Sequence, residues 1–143
     1  MKNLTAQYII TNTGRPLKRA VITTEDDGTI INIEDTAGAL TEKHSTEFYN
    51  GIIVPGFVNS HSHLELSNMI SILEELKTLQ MNWPDIPIEV LVSWATINGA
   101  KALGEQDVYG SIEPGKKPGL LLIENVDLQN MRLLPGSTVR RLI

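Results

Sequence analysis

The sequence predicts a mainly β fold with a few helices, and three observations lead there. Short runs rich in Val, Ile, Leu and Thr fill both ends of the chain, broken by turn signals such as Asp27-Gly28 and Pro55-Gly56. The middle changes to the 3.6-residue apolar period of helices. The chain has 143 residues, 41% hydrophobic and 20% charged; a single domain of this size typically buries roughly 70% of its unfolded surface.

The first β run covers residues 6–11 and is closed by Asn12-Thr13-Gly14. Residues 20–24 and 29–33 form two further runs around Glu25-Asp26-Asp27-Gly28. An Asp-Gly pair there predicts a hairpin, because glycine accepts the positive φ of the turn. A calcium loop would need downstream ligands that the sequence lacks. Residues 52–54 form the next strand, stopped by Pro55-Gly56, and residues 57–60 read as a buried strand starting again.

A helix is predicted over residues 71–80 from Ile72, Leu73, Leu76 and Leu79, with Ser71 and Glu74 spaced as a capping box. At this length it depends on tertiary contacts for stability. Trp83-Pro84 breaks it, and Pro87 suits the start of a second helix. Ile88, Leu91, Val92, Ala95, Gly99, Ala102 and Leu103 give that helix one apolar or small-residue face, ended by Gly104. Trp83 and Trp94 lie near helix boundaries, where aromatics usually pack. Residues 120–123 and 138–143 return to β.

Composition excludes several functions. The net charge of 12 − 17 = −5 argues against nucleic-acid and anionic-membrane partners. With no cysteine there is no disulfide, thiolate zinc site or Cys nucleophile. The longest apolar runs fall short of a membrane span, and the start lacks the apolar core of a signal peptide. A cytoplasmic protein is expected. Gly110-Ser111-Ile112-Glu113-Pro114-Gly115-Lys116-Lys117 has phosphate-loop spacing. Lys117 replaces the Ser or Thr that meets magnesium, however, and Pro118-Gly119 stands where a helix should begin, so a turn is expected.

Three histidines remain: His44, His61 and His63. On a strand, residues i and i+2 share a face, so His61 and His63 would present two imidazoles to one metal ion. By itself His-x-His is a weak signal, and two exposed histidines on a strand end satisfy it equally well.

Its surroundings are more specific. Pro55-Gly56-Phe57-Val58-Asn59-Ser60-His61-Ser62-His63-Leu64-Glu65-Leu66 resembles the first barrel strand of the amidohydrolase superfamily, in its deaminase and chlorohydrolase branch. Trp94-Ala95-Thr96-Ile97-Asn98-Gly99-Ala100-Lys101-Ala102-Leu103-Gly104, followed by Gly110-Ser111-Ile112-Glu113-Pro114-Gly115-Lys116, resembles the C-terminal part of the same enzymes. Pro118-Gly119 departs from the pattern, which often has an acidic residue before the strand.

The resemblance implies a composite β-sandwich formed by the N- and C-terminal segments, residues 1–55 and 105–143. Residues 56–104 would then carry the first-strand His segment and two helices left from the end of a TIM-type barrel. It also implies hydrolysis of a C–N bond, deaminase-like, on a small-molecule substrate by a water activated on zinc or iron. His61 and His63 would be family metal ligands.

The arithmetic opposes a complete enzyme. A (β/α)₈ barrel needs roughly 250 residues, whereas residues 64–70, seven in all, separate the His pair from the predicted helix. No acid stands in Leu66-Ser67-Asn68-Met69-Ile70, where the family's last ligand is expected, and His44 precedes the motif. Glu65 could ligate or shuttle a proton, or simply be a solvated loop carboxylate. The resemblance therefore implies a hydrolase whose barrel is missing, with no catalytic residue and no metal bound in this chain. Three roles stay open: a non-catalytic scaffold, a homo-oligomer that shares metal through His61 and His63, or a binding module. The stripe Ile88, Leu91, Val92 and Ala95 is expected either to fold back on the β domain or to drive self-association.

Overall fold

A computed structural model describes residues 1–39, 46–58 and 66–143. The strands β1 (Lys2–Ile9), β2 (Leu17–Lys18), β3 (Val21–Thr24), β4 (Ile30–Glu34) and β5 (Thr46–Pro55) come first. Helices α1 (Leu66–Asn82), α2 (Ile88–Ala95) and α3 (Ile97–Ala102) follow, and the chain closes with β6 (Leu120–Asp127) and β7 (Arg132–Arg141). These strands form one seven-stranded sheet in the order β4-β3-β1-β5-β6-β7, with β2 paired to β1. β1 and β5 run parallel; β5 and β6 run antiparallel, Ile52 opposite Ile123 and Pro55 opposite Leu120. The fold is mainly β with few helices, and both ends of the chain share its sheet. Among the described residues no helix is long and apolar enough to cross a membrane.

Where β5 and β6 pair, both faces of the sheet are covered, which is why residues 52–55 and 120–123 read as unbroken apolar runs rather than alternations. Ile52, Val54, Leu121 and Ile123 join a cluster with Met69, Leu73 and Leu76 of α1 and Ile88, Leu91 and Val92 of α2. Ile53, Leu120 and Leu122 join the opposite cluster with Leu4, Ile22, Ile30 and Ile112. Burying each such side chain stabilises the fold by roughly 1.5–3 kcal/mol. A register shift between Ala6 and Tyr8 switches the faces of β1: Leu4 and Ala6 lie in the second cluster, Tyr8 and Ile10 against or in the first.

The hairpin β3–β4 turns as its sequence predicts. Glu25 N donates to Thr29 O at 2.8 Å, Gly28 has φ +93°, and the Asp27 carboxylate accepts the Thr29 N–H at 2.9 Å. That bond holds the Asp27 carboxyl below its usual range.

Other elements differ from expectation. α1 starts at Leu66, so Ser71 lies inside the helix and the capping box does not form; Glu74 instead pairs with Lys77 at 2.6 Å. The added first turn gains the burial of Met69, 5% exposed. The second predicted helix is two helices broken at Thr96, whose φ of −131° and ψ of −90° are not helical. Ala100 is buried in α3, whereas Ala102 and Leu103 are exposed. Residues 56–58 are not a strand, although Phe57 is buried; residues 59 and 60 of that expected strand lie outside the described residues. β7 begins six residues before its predicted start at 138. Residues 134–137 bulge out opposite Asn125, where Ser137 Oγ accepts the Leu134 N–H and donates to Asn125 O. Pro135-Gly136 thus interrupts the ladder without ending the strand.

Candidate functional site

The candidate ligands His61 and His63 lie outside the described residues, as do His44 and Glu65. What the structure describes is the seat of the chain that leads to them. Leaving β5, Gly56 donates its N–H to Gly119 O at 3.0 Å and passes so close to Pro118 that a Cβ would stand 2.6 Å from the Pro118 carbonyl oxygen. Phe57 fills the helix-side cluster. Val58 N then donates to Ala95 O at 2.8 Å, at the C-terminal end of α2. Gly99 of α3 lies directly under the Val58 carbonyl, and a Cβ there would collide with that oxygen. Only glycine permits this approach.

A polar tie holds the α2–α3 corner. Asn12, at φ +67°, donates from Nδ2 to Thr96 Oγ1 and to Gly110 O, both at 2.7 Å. The fully buried Thr96 hydroxyl donates to Val92 O at 2.7 Å, which bends the chain between the helices. Sequence reasoning treats Asn12 as a turn residue only. Its tolerance of positive φ is a local signal, but its partner Thr96 is 84 residues away.

The segment after α3 is stitched to the sheet. Ile112 N donates to Thr11 O at 3.0 Å, Ile30 N to Lys116 O at 2.9 Å, and Gly115 N to Ile30 O at 2.8 Å. Ser111 Oγ donates to Glu113 at 2.5 Å, while Lys116 Nζ donates to Ser111 Oγ at 2.7 Å and pairs with Glu113 at 2.8 Å. The Lys116 ammonium, then the Ser111 hydroxyl, holds the Glu113 carboxyl below its usual range. Lys116 is thus engaged in a turn, and no helix follows it.

The described residues tie the chain leaving β5 to the corner between α2 and α3. Among them, no group of three or more His, Cys, Asp or Glu could hold a metal ion. The polar side chains at the Val58 seat, Asn12 and Thr96, are neutral and hydrogen-bonded to each other, unlike the imidazole and carboxylate donors that zinc or iron sites use. The described residues do not complete a metal shell, and no chemical step follows from them. Ile88, Leu91, Val92 and Ala95 are buried against the sheet, so that stripe folds back within the chain. Trp83 and Trp94, expected to pack, are 55% and 42% exposed. Trp83 lies past the end of α1, and Trp94 shares the outer side of α2 with Val90, away from the buried stripe.

The sequence profile of the amidohydrolase family matches residues 68–135, from α1 into β7. Imidazolonepropionase from Clostridium tetani is 41% identical over 72 residues, 50% of this chain and 16% of that protein. The 5-methylthioadenosine/S-adenosylhomocysteine deaminase of Teredinibacter turnerae is 51% identical over 37 residues, 26% of this chain and 8% of that protein. A solved structure described as a prolidase from Bifidobacterium longum covers 73% of this chain and 27% of its own, with 20% identity and a TM-score of 0.32. That likeness is too loose to carry an argument. The chain is similar to the amidohydrolase family over residues 68–135, just under half of its length. It spans well under a fifth of the imidazolonepropionase that it matches.

Proposed function

We propose that this chain is the composite β domain of an amidohydrolase-type, metal-dependent hydrolase whose catalytic barrel is absent, and that it is non-catalytic on its own. One observation carries the reading: ten residues lie between the end of β5 at Pro55 and the start of α1 at Leu66. A (β/α)₈ barrel needs roughly 250. On this reading residues 1–55 and 105–143 are the β domain, and residues 56–104 are what is left of the barrel. His61 and His63 are family metal positions without the rest of their shell. The chain's own work is mechanical: it seats the first barrel segment at Val58 between Ala95 and Gly99.

The parent enzyme hydrolyses C–N bonds of a small molecule, a reading supported by the family and by the names of the matched deaminase and imidazolonepropionase. A second reading, a natural short protein that binds a partner or shares metal between copies, is favoured by one feature. Val90 and Trp94, one turn apart on α2, are 36% and 42% exposed.

Amplification across the codons for residues 55–71 from the source genomic DNA, which spans the whole link before α1, separates the two. A product longer by roughly 750 base pairs, the coding length of a barrel, is expected. A product of unchanged length overturns the excised-barrel reading. Metal content of the purified chain, beside a His61→Ala and His63→Ala double variant, then tests metal sharing.

A further inference from the structure

The sequence holds two Asn-Gly pairs, Asn50-Gly51 and Asn98-Gly99. Such a pair is chemically labile, because glycine has no side chain to shield its backbone nitrogen from the preceding carboxamide. Asn98-Gly99 lies within α3, where helical backbone turns that nitrogen away from the side chain. Asn50-Gly51 lies in β5 at the register shift against β1, with Asn50 exposed and Gly51 at φ +143°. Gln7 closes over this pair. Its Nε2 donates to Asn50 Oδ1 at 2.8 Å, and its Oε1 accepts the Gly51 N–H.

We propose that Asn50-Gly51 is a site of spontaneous deamidation whose rate Gln7 restrains. The Gly51 nitrogen gives up its proton to base and attacks the Asn50 side-chain carbonyl carbon. A nitrogen–carbon bond forms to close a cyclic imide, the bond to the side-chain nitrogen breaks, and ammonia leaves. Water then opens the imide at either carbonyl, giving aspartate or an isoaspartyl linkage; no oxidant or reductant takes part.

Gln7 opposes the closing step in two ways. The Gly51 N–H that must lose its proton is engaged as the donor to Gln7 Oε1. Ring closure must also turn the Gly51 peptide plane toward the side chain, and that rotation breaks both bonds to Gln7. Alone, the Nε2 bond would polarise the carboxamide and favour attack; the rotation that attack requires removes it. An isoaspartyl linkage adds a methylene to the backbone of β5 beside Ile52, where β5 pairs with Ile123 of β6, so conversion loosens the contact between the two ends of the chain.

The test incubates the folded chain and its Gln7→Ala variant at mildly alkaline pH and follows both Asn-Gly peptides by mass spectrometry. Gln7→Ala removes both bonds, and since the loss of even one ordinary hydrogen bond corresponds to a roughly fivefold faster reaction, a rise of at least about that size is expected at Asn50, with the rate at Asn98 unchanged. Equal rates at Asn50 in the two proteins would overturn the proposal. So would a parallel rise at Asn98, which would mean general unfolding. Gln7→Glu, which still accepts the Gly51 N–H but cannot donate to Asn50, is expected to fall between the two; a rate at or above that of Gln7→Ala counts against restraint. Should the alanine variant not fold, the unaltered chain in denaturant is expected to convert faster at Asn50 than when folded, and equal rates would again refute it.

Discussion

Gln80 is joined to Leu133 twice through one side-chain amide. Nε2 donates to the Leu133 carbonyl oxygen at 2.7 Å, and Oε1 accepts the Leu133 N–H at 2.9 Å. β7 is the last strand of the sheet on that side, so Gln80 stands where the backbone of a next strand would be. Lys77 extends the cover by donating to Pro135 O at 2.9 Å. Helix α1 thereby blunts an edge open to pairing with another chain.

Gln80→Ala is expected to leave both Leu133 groups without these bonds and to cost about 2 kcal/mol in denaturant unfolding. Gln80→Glu sets a carboxylate against a carbonyl oxygen. Its folded pKa is expected above the unfolded value, so this variant should gain stability on acidification, as the protonated carboxyl again donates.

Two glycines are expected to resist substitution. Gly51 combines φ +143° with a Cβ position that collides with Ile123 O. Gly51→Ala should destabilise by more than about 3 kcal/mol. Gly99→Ala would gain about 1 kcal/mol of helix propensity, but the collision with Val58 O outweighs it. Amide exchange at Val58 N–H, slow in the unaltered chain, should become fast.

Asn12 separates backbone strain from hydrogen bonding. Asn12→Gly keeps the positive φ without strain and loses the bonds to Thr96 and Gly110. Asn12→Ala loses the bonds and adds roughly 1–2 kcal/mol of left-handed strain. Unfolding titrations should rank the chain above the glycine variant, and the glycine variant above the alanine variant.

The Glu113 carboxyl sets a pH dependence. Its folded pKa is depressed by Lys116 and Ser111, so the folded state binds fewer protons than the unfolded state near the ordinary carboxylate pKa. The stabilisation is complete above that ordinary value and is lost as pH falls through the lowered one. In Glu113→Gln, thermal unfolding across that acidic window should lose this part of its pH dependence.

What was legible in the sequence was local. Asp27-Gly28 marks a turn within four residues, and Pro87, the N-cap residue, marks the start of α2, so both are visible without partners. The first half of β5 was hidden because Glu47, Phe48 and Asn50 are exposed there and the pairing rests on a parallel ladder to β1. Pro135-Gly136 reads as a terminator because Ser137, which bridges the interruption, acts through Asn125 on another strand. Of the candidate site, the small-residue run around Gly99 was legible, whereas His61 and His63 lie outside the described residues. The Asn12–Thr96 tie was not, because no local pattern links residues that far apart.

The antiparallel contact of β5 with β6 closes a loop containing everything between Pro55 and Leu120. Closure entropy grows only logarithmically with loop length. Adding about 250 residues to that loop would cost only about 1.4 kcal/mol of closure entropy in a flexible-chain estimate, comparable to the burial of one leucine. The two ends of the chain therefore form a clasp nearly indifferent to the size of what it encloses. A split chain, cut in the link before α1, should reassemble from its two halves.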